Sequence, residues 1–359
     1  MISIARPLID QEEKNAVIKV LESGLLASGH ETEAFEEAFA AYIGMPRGIA
    51  CTSGTAALEL ALRSLGLGQG DKILTTAFSF IASANCVVYA GGLPRFCDID
   101  SDSFLMTPET VRAALDRDKD IRAIIAVHLF GQPCDMEGIM AIAKERGLTV
   151  VEDCAQSHGA LLGGKKAGSF ADASCFSFYP TKNMTTSEGG MVLFKNEAPA
   201  RRCRMLINHG MRERYRHEIT GYNFRMTNIA AAIGNEQLKK LPAFNAARQK
   251  NAAFLSAGIT NPLIDIPAVL PRREHVFNQY TVKVKERERF LRHLEKNEIG
   301  CGIFYPLTIP EQRCMSGIAQ NISFPAADGV KNRVVSLPVH PGLSRGDLET
   351  IVRAVNDFI

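Results

Sequence analysis

The chain has 359 residues, 46% of them hydrophobic, enough for a large buried core and about two domains. Lys and Arg total 41 against 39 Asp and Glu, so the net charge is only +2 with the signs scattered, which excludes wholesale attraction to nucleic acid or an anionic membrane. Arg6, Asp10, Glu12, Glu13 and Lys14 interrupt any signal-peptide core, and no run approaches the ~18 apolar residues of a membrane span, so a cytoplasmic protein is expected.

Asp10-x-x-Glu13 reads as a capping box that opens a helix to about Ser23, where Gly24 stops it. A second helix is expected over 31–43. From there to about 195, short apolar runs alternate with helical patterns. Strands are expected over 48–51, 72–75, 95–98, 123–127, 149–152, 174–178 and 190–194, with helices that include 55–65, 81–89 and 135–145. That alternation argues for an α/β fold with a mostly parallel sheet. Helical character dominates 197–256, and Pro262, Pro267 and Pro271 mark a loop. A strand (279–284), a helix (286–297), a strand (300–305) and a final helix near Ser344-x-x-Asp347 complete the chain. The reading is a large domain over 1–240 and a smaller C-terminal α/β domain over 241–359.

Nine cysteines, an odd number without any C-x-x-C pair, read as free thiols in a reducing compartment; Cys51, Cys97 and Cys175 lie in apolar runs. Asn183-Met184-Thr185 and Asn321-Ile322-Ser323 match the glycosylation triplet but carry no weight without a secretory signal. The eight histidines have no compact ligand spacing, so no metal site is expected.

Three segments carry chemistry. In Cys51-Thr52-Ser53-Gly54-Thr55-Ala56-Ala57-Leu58 a strand ends and a helix begins, which offers backbone N–H groups to a phosphate; equally, Ser53 or Thr55 is only a helix cap. In Thr149–His158 an acid, Asp153, ends a buried strand, where open α/β sheets bind ligands and where a pyridoxal-phosphate (PLP) ring nitrogen needs a carboxylate; the plainer reading is that Asp153 caps the next helix. Gln156 is then placed for the ring hydroxyl. In Ser177-Phe178-Tyr179-Pro180-Thr181-Lys182-Asn183, Lys182 lies just past a strand, 29 residues after Asp153, where a lysine can bond an aldehyde or move protons, or be an ordinary surface lysine in a turn. Two glycine-rich stretches are set aside. Gly159–Lys166 nearly spells a P-loop but has Lys166 where Ser or Thr must bind magnesium, so a hairpin-like loop is expected; Gly66-Leu67-Gly68-Gln69-Gly70 reads as a helix stop and turn.

In their order and spacing these segments resemble the DegT/DnrJ/StrS family of sugar aminotransferases, within the fold-type I PLP superfamily. Val127-His128-Leu129-Phe130-Gly131-Gln132-Pro133-Cys134-Asp135-Met136 and Gly221-Tyr222-Asn223-Phe224-Arg225-Met226 also look typical of it. The resemblance implies a large domain with a mostly parallel seven-stranded sheet, PLP as cofactor, and a homodimer with shared active sites. It implies that Lys182 holds the cofactor aldehyde, Asp153 pairs with the ring nitrogen and Gln156 meets the ring hydroxyl. Gly54, Thr55 and Ser177 would hold the phosphate, Phe80 would stack on the ring or be plain core, and Asn223 would reach the neighbouring subunit's cofactor phosphate or be a turn residue. His128 is either active-site wall or a core histidine; Tyr179 and Tyr305 contact substrate or only pack. Arg225, Arg212 and Arg214 are the cations available to a nucleotide diphosphate, or are solvated surface charges.

The implied activity is transfer of an amino group from an amino acid, L-glutamate by resemblance, to a nucleotide-linked keto sugar such as a 4-keto-6-deoxy sugar, for amino-sugar and polysaccharide biosynthesis. Two alternatives stand: a sugar dehydratase of the same fold, in which a histidine replaces the lysine, and a non-catalytic binding or regulatory protein. Three positions depart from the family pattern. Ser187 stands where relatives usually have Gly, Thr308 where they often have Pro, and Pro310 where they often have a histidine beside the substrate.

Overall fold

The computed structural model describes residues 1–319 and 322–359, so Asn321 of the second glycosylation triplet lies outside the described residues. The seven expected strands form one sheet, interrupted in sequence by a small hairpin. They are β1 (Arg47–Cys51), β2 (Lys72–Thr76), β3 (Leu93–Cys97), β4 (Ile121–Val127) and β5 (Thr149–Asp153), then the hairpin β6 (Leu161–Leu162) and β7 (Lys165–Lys166), then β8 (Ala173–Ser177) and β9 (Gly190–Phe194). The sheet order is β1-β9-β8-β5-β4-β2-β3. Pairings β2–β3, β2–β4, β4–β5 and β5–β8 are parallel, and β9 alone runs against its neighbours β1 and β8.

Helices cover both faces, so β4, β5, β8 and β9 are buried along most of their length instead of alternating, and β4 and β9 are almost wholly apolar. Helix Gly54–Ser64 leaves the end of β1, and helix Ala82–Ala90 follows β2. Helix Pro108–Arg117 joins β3 to β4; Thr107 caps it and Pro108 opens it. At the N-terminus, Glu13 Oε2 accepts the Asp10 N–H (2.8 Å), so the expected box forms around helix Gln11–Ser23.

The region 197–256 is less uniform than its composition suggests. Helix Glu197–Leu206 gives way to an exposed hairpin, β10 (Met211–Glu213) with β11 (Arg216–His217), before helix Asn228–Gly258. That long helix contains Pro242 and runs through the expected domain boundary at 240/241. Beyond it lie β12 (Ile264–Asp265), β13 (Arg273–Glu274), β14 (Tyr280–Val284) and β15 (Val334–Leu337). Strands β12, β14 and β15 make a second, antiparallel sheet, and helices Arg287–Lys296 and Arg345–Asn356 share its apolar core. Strand β13 pairs instead with β6, tying this region to the hairpin of the first.

The strand expected over 300–305 does not form. Only a single bridge, Gly302 to Ser336, is made, and β15 supplies the third strand. The reason is local: the chain at 304–305 turns its side chains into a cavity of the large sheet and cannot also continue a ladder. The first residues are tied down as well, Ile2 accepting the Gly300 N–H (2.7 Å). All nine cysteines are free, seven of them buried. Among the described residues no helix is long and apolar enough to cross a membrane.

Candidate active site

The carboxyl ends of β1, β4, β5 and β8 open into a cavity of about 380 Å³. Ten of the twelve residues expected in the site line it; Asn223 and Arg225 do not.

Asp153 is the last residue of β5 and is buried. Its Oδ1 accepts the Ala155 N–H (3.1 Å) and its Oδ2 the Ser83 hydroxyl (2.8 Å), and no helix follows for it to cap. Lys182 sits in a turn closed by its N–H on the Tyr179 carbonyl (2.9 Å). Asn278 braces that turn, donating to Asn183 Oδ1 (3.0 Å) and to the Thr181 carbonyl (3.4 Å). The half-buried Lys182 has no hydrogen-bond or ion-pair partner for its ammonium among the described residues. Burial lowers its pKa from 10.5 to about 8, against the pull of the Asp153 charge.

At the other end of the cavity, Ser53 is the cap of helix Gly54–Ser64. Its hydroxyl accepts the Ala56 N–H (3.2 Å) and its carbonyl the Ala57 N–H (2.9 Å). The Gly54 and Thr55 amides and the Thr55 hydroxyl are left without a partner among the described residues. A Cβ on Gly54 would fall 2.6 Å from the Ser177 Cβ, so only glycine lets the helix start approach the end of β8 this closely. The result is a cradle of N–H and O–H groups at a helix N-terminus, which favours an anion such as a phosphate.

Between these ends, Gln156 uses its Oε1 to accept the Phe130 N–H (2.7 Å) and its Nε2 to reach the Tyr305 hydroxyl (3.3 Å). The second N–H of Nε2 remains free to donate to a ligand. Burial pushes the Tyr305 phenol well above its ordinary value, so it stays protonated. Phe80 and Tyr179 stand at the mouth, 53% and 47% exposed, too open for core residues. An unpartnered amine, a buried carboxylate, an anion cradle and an aromatic face together fit an aldehyde-bearing, phosphorylated, protonated aromatic ring.

His128 presents its ring to the cavity, but its polar atoms are committed behind the wall. Its Nδ1 accepts the Cys134 N–H (3.1 Å), which leaves the proton on Nε2 to donate to Glu152 (2.9 Å). Glu152 also accepts the N–H groups of Gly168, Phe170 and Ala171. A polar contact from His128 to substrate therefore has no atom to make it. Arg225 lies outside the cavity, bonded to Asn208 Oδ1 (2.6 Å), and Asn223 is exposed beside it. Arg212 pairs with Glu218 (3.4 Å) and Arg214 lies over the Tyr215 ring (5.1 Å), both on the β10–β11 hairpin. Lys182 is thus the one cation lining the cavity among the described residues.

Sequence reasoning missed Ser83, Asn278, Phe304 and the strap Ile4–Ala5, all of which line the cavity. Each arrives from a distant element, and none stands in a motif that marks it. The departures have structural counterparts. Ser187 holds a left-handed backbone (φ 73°), and Thr308 is buried, its N–H and hydroxyl both donating to Glu311 Oε2 (2.9 Å each).

The sequence profile of the DegT/DnrJ/EryC1/StrS aminotransferase family matches residues 7–356. A UDP-N-acetyl-3-dehydro-alpha-D-glucosamine 3-aminotransferase of Acidithiobacillus ferrooxidans is 36% identical, over 97% of this chain and 94% of its own. A dTDP-3-amino-3,6-dideoxy-alpha-D-galactopyranose transaminase of Aneurinibacillus thermoaerophilus is 37% identical, over 97% and 95%. Among solved structures, S. venezuelae DesV superposes with a TM-score of 0.94 at 34% identity, covering 97% of this chain and 94% of that one.

Proposed function

Because the chain belongs to the DegT/DnrJ/EryC1/StrS family of PLP-dependent aminotransferases, we propose that it transfers an amino group from L-glutamate to a nucleotide-linked keto sugar, of the 4-keto-6-deoxy type, in amino-sugar and cell-surface polysaccharide biosynthesis. The observation that carries this reading is the meeting of Lys182 and Asp153 in one cavity, the first without a partner and the second held by two donors.

When bound, PLP supplies an aldehyde that condenses with amines and a protonated ring that withdraws electrons from the neighbouring carbon. Lys182 Nζ is the residue to hold the aldehyde, Asp153 the ring nitrogen, and the Gln156 amide the ring oxygen. Gly54, Thr55 and Ser177 would form the phosphate cradle, and Phe80 would cover the ring. With a pKa near 8, Lys182 is neutral in a useful fraction of molecules at neutral pH. With the cofactor bound and Lys182 free of it, Nζ would be placed to take the donor's α-proton. In the second half-reaction it delivers a proton to the sugar carbon that receives nitrogen. Tyr179, at the mouth, is placed to touch the sugar. A dehydratase of this fold would carry histidine at 182, and this chain has lysine.

Among the described residues the cavity has no second cation for a diphosphate, whereas Arg212 and Arg214 lie on the β10–β11 hairpin and Arg225 lies two residues after the exposed Asn223. We place these residues against the cavity of a second copy, so that a homodimer shares its sites. A reducing cytoplasm suits the nine free thiols.

The test is spectroscopic. Protein saturated with PLP should show a visible band that glutamate bleaches and that a keto sugar restores, with dTDP-, UDP- and GDP-linked ketoses screened in turn. Lys182→Ala should lose both changes. A band indifferent to every amino donor would leave a binding protein, and no uptake of PLP would end the proposal.

A further inference from the structure

Asp153 has two donors, and only one of them comes from its own motif. The Ala155 N–H, two residues on, reaches Oδ1. The Oδ2 donor is the hydroxyl of Ser83, 70 residues earlier, at 2.8 Å. Ser83 is 1% exposed and sits in the first turn of helix Ala82–Ala90, next to the cavity. A serine inside a helix usually returns its hydroxyl to a carbonyl of the preceding turn. This one crosses to another element instead. Because its single proton goes to the carboxylate, the Ser79 hydroxyl, 3.3 Å away, is the donor of the pair that it makes with Ser83. Ser79 lines the same cavity.

A carboxylate has about four acceptor positions. With one donor on each oxygen, rotation about the Cβ–Cγ bond is stopped, and the free lone pairs have one fixed direction. We propose that Ser83 is a positioning residue for the reaction. It orients the Asp153 carboxylate so that its unused lone pairs face the ring nitrogen of the cofactor. Hydrogen bonds to ionised groups are short and directional, so loss of this one lets the carboxylate swing. The inference rests on the proposed aminotransferase reading, specifically on Asp153 as the partner of the ring nitrogen.

The experiment compares PLP-loaded wild type, Ser83→Ala and Ser83→Thr in single-turnover reaction with glutamate, followed at the visible band, and measures the PLP dissociation constant of each. Ser83→Ala is expected to slow the bleaching step by about ten- to a hundredfold, the scale of a hydrogen bond to a charged group. Its half-saturating glutamate concentration should stay within about threefold of wild type, because the Ser83 hydroxyl proton is committed to Asp153 and acts through it. PLP should also bind more weakly, and Ser83→Thr should recover most of the rate. If Ser83→Ala does not fold, Ser83→Cys, nearly isosteric with a weaker donor, should show an intermediate slowing. A Ser83→Ala protein that melts lower but bleaches at the wild-type rate with unchanged PLP affinity overturns the proposal, since that is what a purely structural hydroxyl would do. Wild type that takes up no PLP overturns the aminotransferase reading as well, and so is told apart from failure of this inference alone.

Discussion

Lys182 should weaken the protein when no cofactor is bound, and replacing it by methionine should show by how much. Methionine keeps most of the length and removes the charge. In the cofactor-free chain burial depresses the lysine pKa from 10.5 to about 8. The unfolded chain keeps its proton to about 10.5. Below about pH 8 both states are protonated, and the folded state carries the whole cost of an ammonium held away from water. Between about 8 and 10.5 the unfolded state binds more protons than the folded one, so stability contributed by this group rises with pH through that window and the cost is gone above it. A drop of about 2.5, at ~1.36 kcal/mol each, sets a ceiling of about 3 kcal/mol, and the half-buried side chain brings the expectation to about 1–3 kcal/mol. Urea unfolding of both cofactor-free proteins at about pH 7 and about pH 10.5 is the assay; other titrating groups cancel in the difference. Lys182→Met should be more stable by that amount at the lower pH, and the pH-dependent part of the gain should vanish at the higher. A gain that is absent at pH 7, or that does not change with pH, refutes the argument that Lys182 is a desolvated and uncompensated charge.

Three further substitutions probe the frame of the site. Gly54→Ala would place a Cβ 2.6 Å from the Ser177 Cβ and 3.1 Å from its Cα. The two segments must part by about 1 Å to reach ordinary contact, at about 1–3 kcal/mol, so both the urea midpoint and PLP affinity should fall; unchanged values for both would show that the cradle is not closed at this point. Ser187→Gly relieves a left-handed backbone at φ 73° and should stabilise by about 0.5–1 kcal/mol, a prediction that a lower denaturation midpoint would sink. Thr308→Pro, the residue that relatives often carry, removes both donors to Glu311 and should cost about 1–2 kcal/mol in chemical denaturation; a neutral result would mean that Glu311, also paired with Lys331, does not need them.

The strand pattern was legible because a sheet covered on both faces writes continuous apolar runs into its strands, and each run stops where the chain returns to the surface. The chemistry was legible for a related reason. Asp153, Ser177 and Gly54 stand at or just beyond strand ends, and open α/β sheets gather their ligands along that edge. The second sheet was harder to read. Residues 300–305 have strand composition, yet Phe304 and Tyr305 are recruited to the cavity and Val334–Leu337 takes the place in the ladder.

Taken alone, the sequence determined the α/β class and the order of the strands along the chain, since local periodicity needs no knowledge of distant residues. It singled out Asp153 and Lys182 only through the resemblance to a family, because each by itself also read as a cap or a surface lysine. Tertiary structure alone decided the rest. It set the direction of Asp153 through Ser83, the bracing of the Lys182 turn by Asn278, and the withdrawal of both His128 nitrogens behind the wall. All but the His128–Cys134 contact join residues more than twenty apart, and a hydrogen bond depends on where donor and acceptor meet in space, which no local pattern records.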